Sequence, residues 1–468
     1  MTQTKFQQHM IQTLQEKTIL EQAKQYAFDY LDGVSARRVS PDSDALAGLA
    51  AFDEPMPQQP QQPAEILAQL QTYGAPATSA QGGGRYFGFV NGGITPAGLA
   101  ARWMSDAWDQ NCGLYVMSPI ASKLEDVCER WLVDLLGLPQ GTAAGFVSGS
   151  STAIICALAA ARNELLARQG WNVSEQGLWG APPVRVVLGE QAHSSVFKAL
   201  SLLGMGKQMV TLAPVDDQGR MLPDRLPELD QNTLLILQAG NVNSGAFDPL
   251  DALCARAGEV GAWVHVDGAF GLWANASEQT RHLVHGVELA DSWSTDAHKT
   301  LNAPYDSGIV FVKDRAALVS AMQATGSYLL YSDQRDGMLY TPEMSRRARS
   351  IELWATLKGF GQSGVGELVD TLCENARYFA GQLFKYGFRI QNDVVFNQVL
   401  VGCDSADETK STLARLQANG VCWCGGAVWK AEPVIRISVC SWRTTKEDID
   451  ACVAAFVAAR NEARAHIG

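Results

Sequence analysis

The stretch Ala290-Asp-Ser-Trp-Ser-Thr-Asp-Ala-His-Lys-Thr300, continuing as Leu301-Asn-Ala-Pro-Tyr-Asp-Ser-Gly-Ile-Val-Phe-Val-Lys313, decides the fold. A β-leaning run, Asp291 to Thr295, enters the pair His298-Lys299. An apolar run, Ile309 to Val312, leaves it after Gly308. This pattern predicts a lysine on a loop between two short buried strands. Lost hydration moves such an amine from ~10.4 toward neutrality, which suits it to forming a Schiff base. A surface lysine at a turn is the competing reading. What separates the two is whether other parts of a cofactor site occur at suitable places.

Upstream of the pair, strand-like runs alternate with helix-like ones. Val184 to Leu188 precedes a helix near Ser194 to Leu203. Gln208 to Leu212 reads as a short strand. Leu234 to Gln238 precedes a helix over Leu250 to Val260, and Ala262 to Asp267 follows. This βαβ rhythm predicts an α/β fold with a mostly parallel sheet covered by helices on both faces. Ligands of such sheets bind outside the carboxyl ends of the strands. His193, Asp267 and Lys299 all fall at or just past such ends.

Gly145-Phe-Val-Ser-Gly-Ser-Ser-Thr-Ala-Ile154 opens a Gly/Ser-rich turn onto a strong helix. Free amides and the helix dipole meet there beside Ser150 and Ser151, which makes a phosphate cradle. It has neither P-loop lysine nor dinucleotide spacing, and a serine N-cap alone would also explain it. Asp267 ends an apolar strand and needs a cation; a structural ion pair is one answer. The small residues Gly268 and Ala269 after it would let a flat ring lie close, and a carboxylate facing a pyridine nitrogen keeps that nitrogen protonated. His193, in Gln191-Ala-His-Ser-Ser195, would stack on the ring, or simply pack. Phosphate cradle, stacking imidazole, acid and amine together fit pyridoxal 5'-phosphate.

With these residues in view, the chain resembles the group II pyridoxal-phosphate decarboxylases, the family of the aromatic-L-amino-acid and glutamate decarboxylases. The resemblance rests on Ser118-Pro-Ile-Ala-Ser-Lys-Leu-Glu125, Ser148-Gly-Ser-Ser-Thr-Ala153, Gln191-Ala-His-Ser-Ser195, His265-Val-Asp-Gly-Ala269, Asp296-Ala-His-Lys299 and Ser345-Arg-Arg-Ala-Arg349. It covers roughly residues 15 to 450. It implies an aspartate-aminotransferase-like fold (fold type I): a seven-stranded large domain, a smaller α+β domain and an N-terminal helical arm. It implies that Lys299 carries the internal aldimine, Asp267 faces the ring nitrogen and His193 stacks on the ring. Ser150, Ser151 and His298 would bind the phosphate, and Ala269 would pack under the ring. It also implies a homodimer with the site at the interface, and a lid tyrosine that protonates the quinonoid carbon. Tyr340 is preferred for that role over Tyr331 and Tyr328. The activity implied is decarboxylation of an L-amino acid to its amine and CO2. Aminotransferase or C–C lyase chemistry is the alternative, since Arg436 in Val434-Ile-Arg-Ile-Ser438 is similar to the carboxylate-binding arginine of aminotransferases.

The chain departs from the family at two places. Asp296 stands where the family often has asparagine, and an acid beside a phosphate is unfavourable unless it points away. Gly84-Arg85-Tyr86-Phe87-Gly88 replaces a His-Pro-x-Phe-Phe substrate segment; Arg85 there would favour an acidic substrate or face solvent. The surrounding run, Gly82 to Gly93, mixes aromatics with glycines and would supply stacking walls or packed loop rings.

The rest of the sequence sets bounds. The 468 residues carry a net charge of −12 with 47% hydrophobic residues, enough for two or three domains. No basic stripe points to nucleic acid, and no stretch is apolar enough to span a bilayer. Ten cysteines without a signal segment read as reduced and cytoplasmic. Cys422-Trp-Cys424 is the one close pair; a half-buried strand over Val421 to Trp423 is the expected explanation for it, and no metal site is expected. The expected divisions are a helical arm over 1–81, a cofactor-binding domain over 82–355 and a small domain over 356–468. Helices are expected over 5–32, from 345 and over 365–386. A Pro/Gln spacer runs from Pro57 to Pro63.

Overall fold

The computed structural model describes residues 3–323 and 333–467. Its main sheet contains β1 (Ala143–Val147), β2 (Arg185–Gly189), β3 (Val210–Ala213), β4 (Thr233–Gln238), β5 (Trp263–Asp267), β6 (Ser292–Asp296) and β7 (Gly308–Val312). The strand order is β1-β7-β6-β5-β4-β2-β3. Only β7 runs against its neighbours, β1 and β6; the other pairs are parallel. This is the seven-stranded, mostly parallel α/β sheet expected from the rhythm of apolar runs.

Successive side chains enter two different cores, as the two-residue period of a strand requires. Leu235, Leu237, Val264 and Val266 pack under the helices Leu250–Val260 and Pro119–Leu135. Leu234, Ile236 and Trp263 pack on the opposite face with the alanine-rich helix Ser150–Ala167 and with Ser194–Leu202. A sheet covered on both faces is apolar along its whole length, and β1, β5, β6 and β7 are buried at every residue.

A second sheet of four antiparallel strands, in the order β10-β11-β9-β8, comprises β8 (Arg389–Ile390), β9 (Gln398–Gly402), β10 (Gly425–Trp429) and β11 (Glu432–Ser438). It packs with the helices Ala406–Asn419 and Lys446–Ile467 around Phe379, Phe388 and Phe456. Three sequence expectations change here. The two helices expected from 345 and over 365–386 are present within Ser350–Lys385, separated at the non-helical Gly361 (φ 64, ψ 176), but the boundary expected at 355 lies inside the first of them. The strand expected at Val421–Trp423 is instead a bridge: Phe87 N donates to Trp423 O (2.8 Å) and Trp423 N donates to Arg85 O (3.1 Å). Phe87 consequently belongs to the core of the small sheet, although its segment was expected in the large domain.

The N-terminal helices Lys5–Glu16 and Thr18–Gly33 meet at Lys17, which is left-handed (φ 57), and neither buries a residue. Phe6 and Leu14 are 72% and 67% exposed. Arg85 ties the chain that follows these helices to the body. Its guanidinium donates to Ser35 O (2.9 Å) and Arg37 O (3.1 Å) and lies 3.9 Å from Asp448. Arg85 is therefore engaged with backbone carbonyls, and the substrate-binding alternative for it is corrected.

Candidate active site

Lys299 sits on the loop between β6 and β7, as predicted. The loop is fixed from three sides. Gly92 N donates to His298 O (3.2 Å), and a Cβ on Gly92 would lie 2.2 Å from Lys299 O, so only glycine allows this approach. Asn302, in a left-handed conformation (φ 59), accepts from Gly93 N (2.6 Å) and Trp442 N (3.0 Å) and donates to Thr300 O (2.8 Å) and Cys440 O (2.9 Å). One buried amide thus joins the lysine loop to the small domain. Asn302 was not read from the sequence as part of the site; its place before Ala-Pro was the available sign.

Asp267 ends β5 and is buried. The one hydrogen bond its carboxylate makes among the described residues is accepted from Ala269 N (3.3 Å). Burial raises its pKa, while the charges of His193 and Lys299 act in the opposite direction. A buried carboxylate so weakly paired is costly unless a cation arrives. His193 caps the helix Ser194–Leu202: its Nδ1 accepts from Ser195 N (3.3 Å) and lies 2.6 Å from Ser195 Oγ. Its ring faces solvent at the cleft but is flanked by protein, and burial of that flank lowers its pKa. Arg436, half-buried on β11, is 3.5 Å from Asn243 Oδ1, and its charge acts on His193; its Nε has no partner among the described residues.

At the end of β6 the helix Ser150–Ala167 begins. Gly308 admits it, because a Cβ there would lie 2.3 Å from Gly149 Cα. Ser150 is buried at the first turn with Ser151 exposed beside it. Asp296, whose direction the sequence leaves open, points at this helix start rather than away from it. Its Oδ1 accepts from Ser150 N (2.5 Å), its Oδ2 lies 3.1 Å from Lys299 Nζ, and His298 Nε2 is 3.6 Å from Oδ1. Its backbone is held by Asp296 N donating to Ala269 O (2.9 Å) and by Trp273 Nε1 donating to Asp296 O (3.1 Å). His298 stacks on Tyr305, with centroids 4.2 Å apart, and its Nδ1 accepts from Ser307 N (3.0 Å). Burial lowers the His298 pKa, outweighing Asp296.

Lys299, His193, Asp267, Ala269, His298 and Ser150 thus converge on the carboxyl ends of β5 and β6 and the start of one helix. Tyr340 does not join them. It is buried against the β1 side of the sheet, its hydroxyl accepts from Arg315 Nη1 (3.0 Å), and Arg335 lies over its ring at 4.1 Å. The expectation that it is the lid donor is corrected by that packing. Tyr328 and Tyr331 lie outside the described residues. The rings of Tyr86 and Phe89 stack on Trp423 at 5.2 and 5.3 Å. Cys422 and Cys424 are buried, and no cluster able to hold a metal occurs among the described residues.

This arrangement is that of a pyridoxal-phosphate fold. The pyridoxal-dependent decarboxylase conserved domain matches residues 47–401, and the chain belongs to that family. It is 29% identical over 330 residues to the acidic amino acid decarboxylase GADL1 of Mus musculus, covering 67% of this chain and 59% of that protein. It is 27% identical over 347 residues to phenylacetaldehyde synthase of a Rosa hybrid cultivar, covering 69% and 67%. The match thus spans about three fifths of the length of the mouse relative. In fold it superposes on the Oryza sativa TDC solved with PLP and tryptamine, with TM-score 0.88, 22% identity and coverage of 95% and 97%. Among the described residues no helix is long and apolar enough to cross a membrane.

Proposed function

We propose that this chain uses pyridoxal 5'-phosphate to remove the carboxyl group of an L-amino acid, releasing CO2 and the amine. The observation that carries this reading is Asp267: a buried carboxylate lacking a strong partner, with the charges of His193 and Lys299 acting on it. A protonated ring nitrogen is the partner it lacks. The residues therefore fit the group. Lys299 would hold its aldehyde carbon, Asp267 its ring nitrogen, His193 and Ala269 its two faces, and Ser150, Ser151 and His298 its phosphate. When bound, the cofactor supplies a ring that accepts the electron pair of the breaking Cα–carboxylate bond.

The chain's own groups supply the rest. Asp267 holds a proton on the ring side and, being buried, does so with little competition from water. Lys299 Nζ accepts and returns protons as substrate and product exchange. Arg436, with a free Nε, is the cation best suited to orient a substrate carboxylate. Two copies of the chain would form the working unit, with the apolar face of the helices Lys5–Glu16 and Thr18–Gly33 covered by the partner; Phe6 and Leu14 support this. We place the enzyme in the cytoplasm, in keeping with ten unpaired cysteines.

A second reading has a specific observation behind it. The same Arg436 would equally retain a carboxylate for transamination. Incubating the purified protein with cofactor and single L-amino acids, and measuring CO2 against keto acid, separates the two. Decarboxylation predicts CO2 and amine in equal amounts; keto acid without CO2 would overturn it.

A further inference from the structure

Asp296 is placed where the cofactor's phosphate is expected, so any role for it there rests on the proposal that the chain binds pyridoxal 5'-phosphate. The start of the helix Ser150–Ala167 offers its first amide, and His298 stands beside it. Both already face a carboxylate: Ser150 N at 2.5 Å and His298 Nε2 at 3.6 Å from Asp296 Oδ1. The other oxygen, Oδ2, is 3.1 Å from Lys299 Nζ. The acid is almost wholly buried, and its backbone is tied to Ala269 and Trp273, so it cannot retreat by moving its strand.

We propose that Asp296 is a built-in rival of the cofactor's phosphate. It is a positioning residue that occupies the Ser150 amide and pairs with Lys299, and so weakens selection for the phosphorylated cofactor over the bare aldehyde. Two anions sharing one amide and one imidazole in a dry site repel each other. Phosphate entry therefore requires Asp296 to turn aside or to carry a proton, and either requirement lowers affinity. The neutral amide of asparagine would still accept from Ser150 N, and its NH2 would donate to a phosphate oxygen.

The test compares two ligands that differ only in the phosphate. Pyridoxal 5'-phosphate and pyridoxal are each titrated into the full-length chain by equilibrium dialysis, for the wild type and Asp296→Asn. Asp296→Ser serves as a second neutral variant should the first not fold. Loss of the Lys299 partner affects both ligands alike, so the ratio of their dissociation constants isolates the phosphate. The proposal expects this preference for the phosphorylated form to rise by about tenfold or more in the neutral variants. An unchanged or diminished preference overturns it while leaving the cofactor reading intact. Failure of the wild type and every variant to retain either ligand overturns the cofactor reading, and this proposal with it.

Discussion

The carboxyl edge of the main sheet and the helix Pro119–Leu135 each bury two acids, and they treat them differently. On the helix, Glu125 meets Arg335 Nε at 3.0 Å and Arg346 Nη2 at 2.7 Å. Glu129 meets Arg335 Nη1 at 2.7 Å and Arg315 Nη2 at 2.5 Å, and also accepts from Ala144 N (2.7 Å). Burial would raise the Glu129 pKa, but the two arginines hold it below the usual carboxylate range. At the sheet edge, burial prevails and raises Asp267. Asp296 is satisfied by groups that a cofactor would also need. Charge that is fully matched from within the chain serves as scaffold. Charge left under-matched, or matched by borrowed partners, marks a place where a ligand belongs.

Four substitutions sharpen or break this contrast. The largest effect is expected for Asp267→Asn: CO2 release should fall by about a hundredfold or more, with the melting temperature held or raised, because a costly buried charge is removed. A large stability loss with normal turnover would make Asp267 scaffold as well. Glu125→Gln should do the reverse. Leaving Arg335 and Arg346 without their anion is expected to cost about 3–5 kcal/mol in denaturant unfolding; a cost under ~1 kcal/mol would break the comparison. Tyr340→Phe removes one acceptor from Arg315 and should cost about 1 kcal/mol, with turnover within about threefold of wild type. A hundredfold loss of turnover would restore Tyr340 as a proton donor.

The smallest effect concerns pH. His298 has its pKa depressed by burial, so on acidification the unfolded chain takes up the proton first. The folded state therefore loses stability as pH falls below ~6.5, the ordinary histidine value. His298→Gln, which cannot titrate, should lose less melting temperature than wild type between neutral pH and pH 5. Parallel curves would show that His298 is not held neutral by the fold.

Most of the frame was legible because parallel strands buried on both faces announce themselves as apolar runs: the helix Leu250–Val260 and strands β4 to β7 fall where the sequence places them. Lys299, His193 and Asp267 were legible because each comes just after such a run. What escaped depends on direction rather than spacing. Nothing in Asp296-Ala-His-Lys299 says which way the acid turns; that depends on Gly308 letting the helix start approach β7. Arg85 stands directly before Tyr86-Phe87-Gly88 and reads like a pocket residue, yet its partners are carbonyls about fifty positions earlier. Gly361 separates two helices within Ser350–Lys385, as the sequence suggests, but the domain boundary expected at 355 falls inside the first of them. The motif Ser345-Arg-Arg-Ala-Arg349 supplies scaffold in this chain: Arg346 pairs with Glu125, and Arg347 and Arg349 pair with Asp306, holding that carboxyl at about 2 against the opposing effect of burial.

The central claim is most directly tested by borohydride reduction of the protein loaded with pyridoxal 5'-phosphate, then peptide mass spectrometry. The account predicts one phosphopyridoxyl group per chain, on Lys299. A label on another lysine, or none from a protein that retains the cofactor, would contradict it.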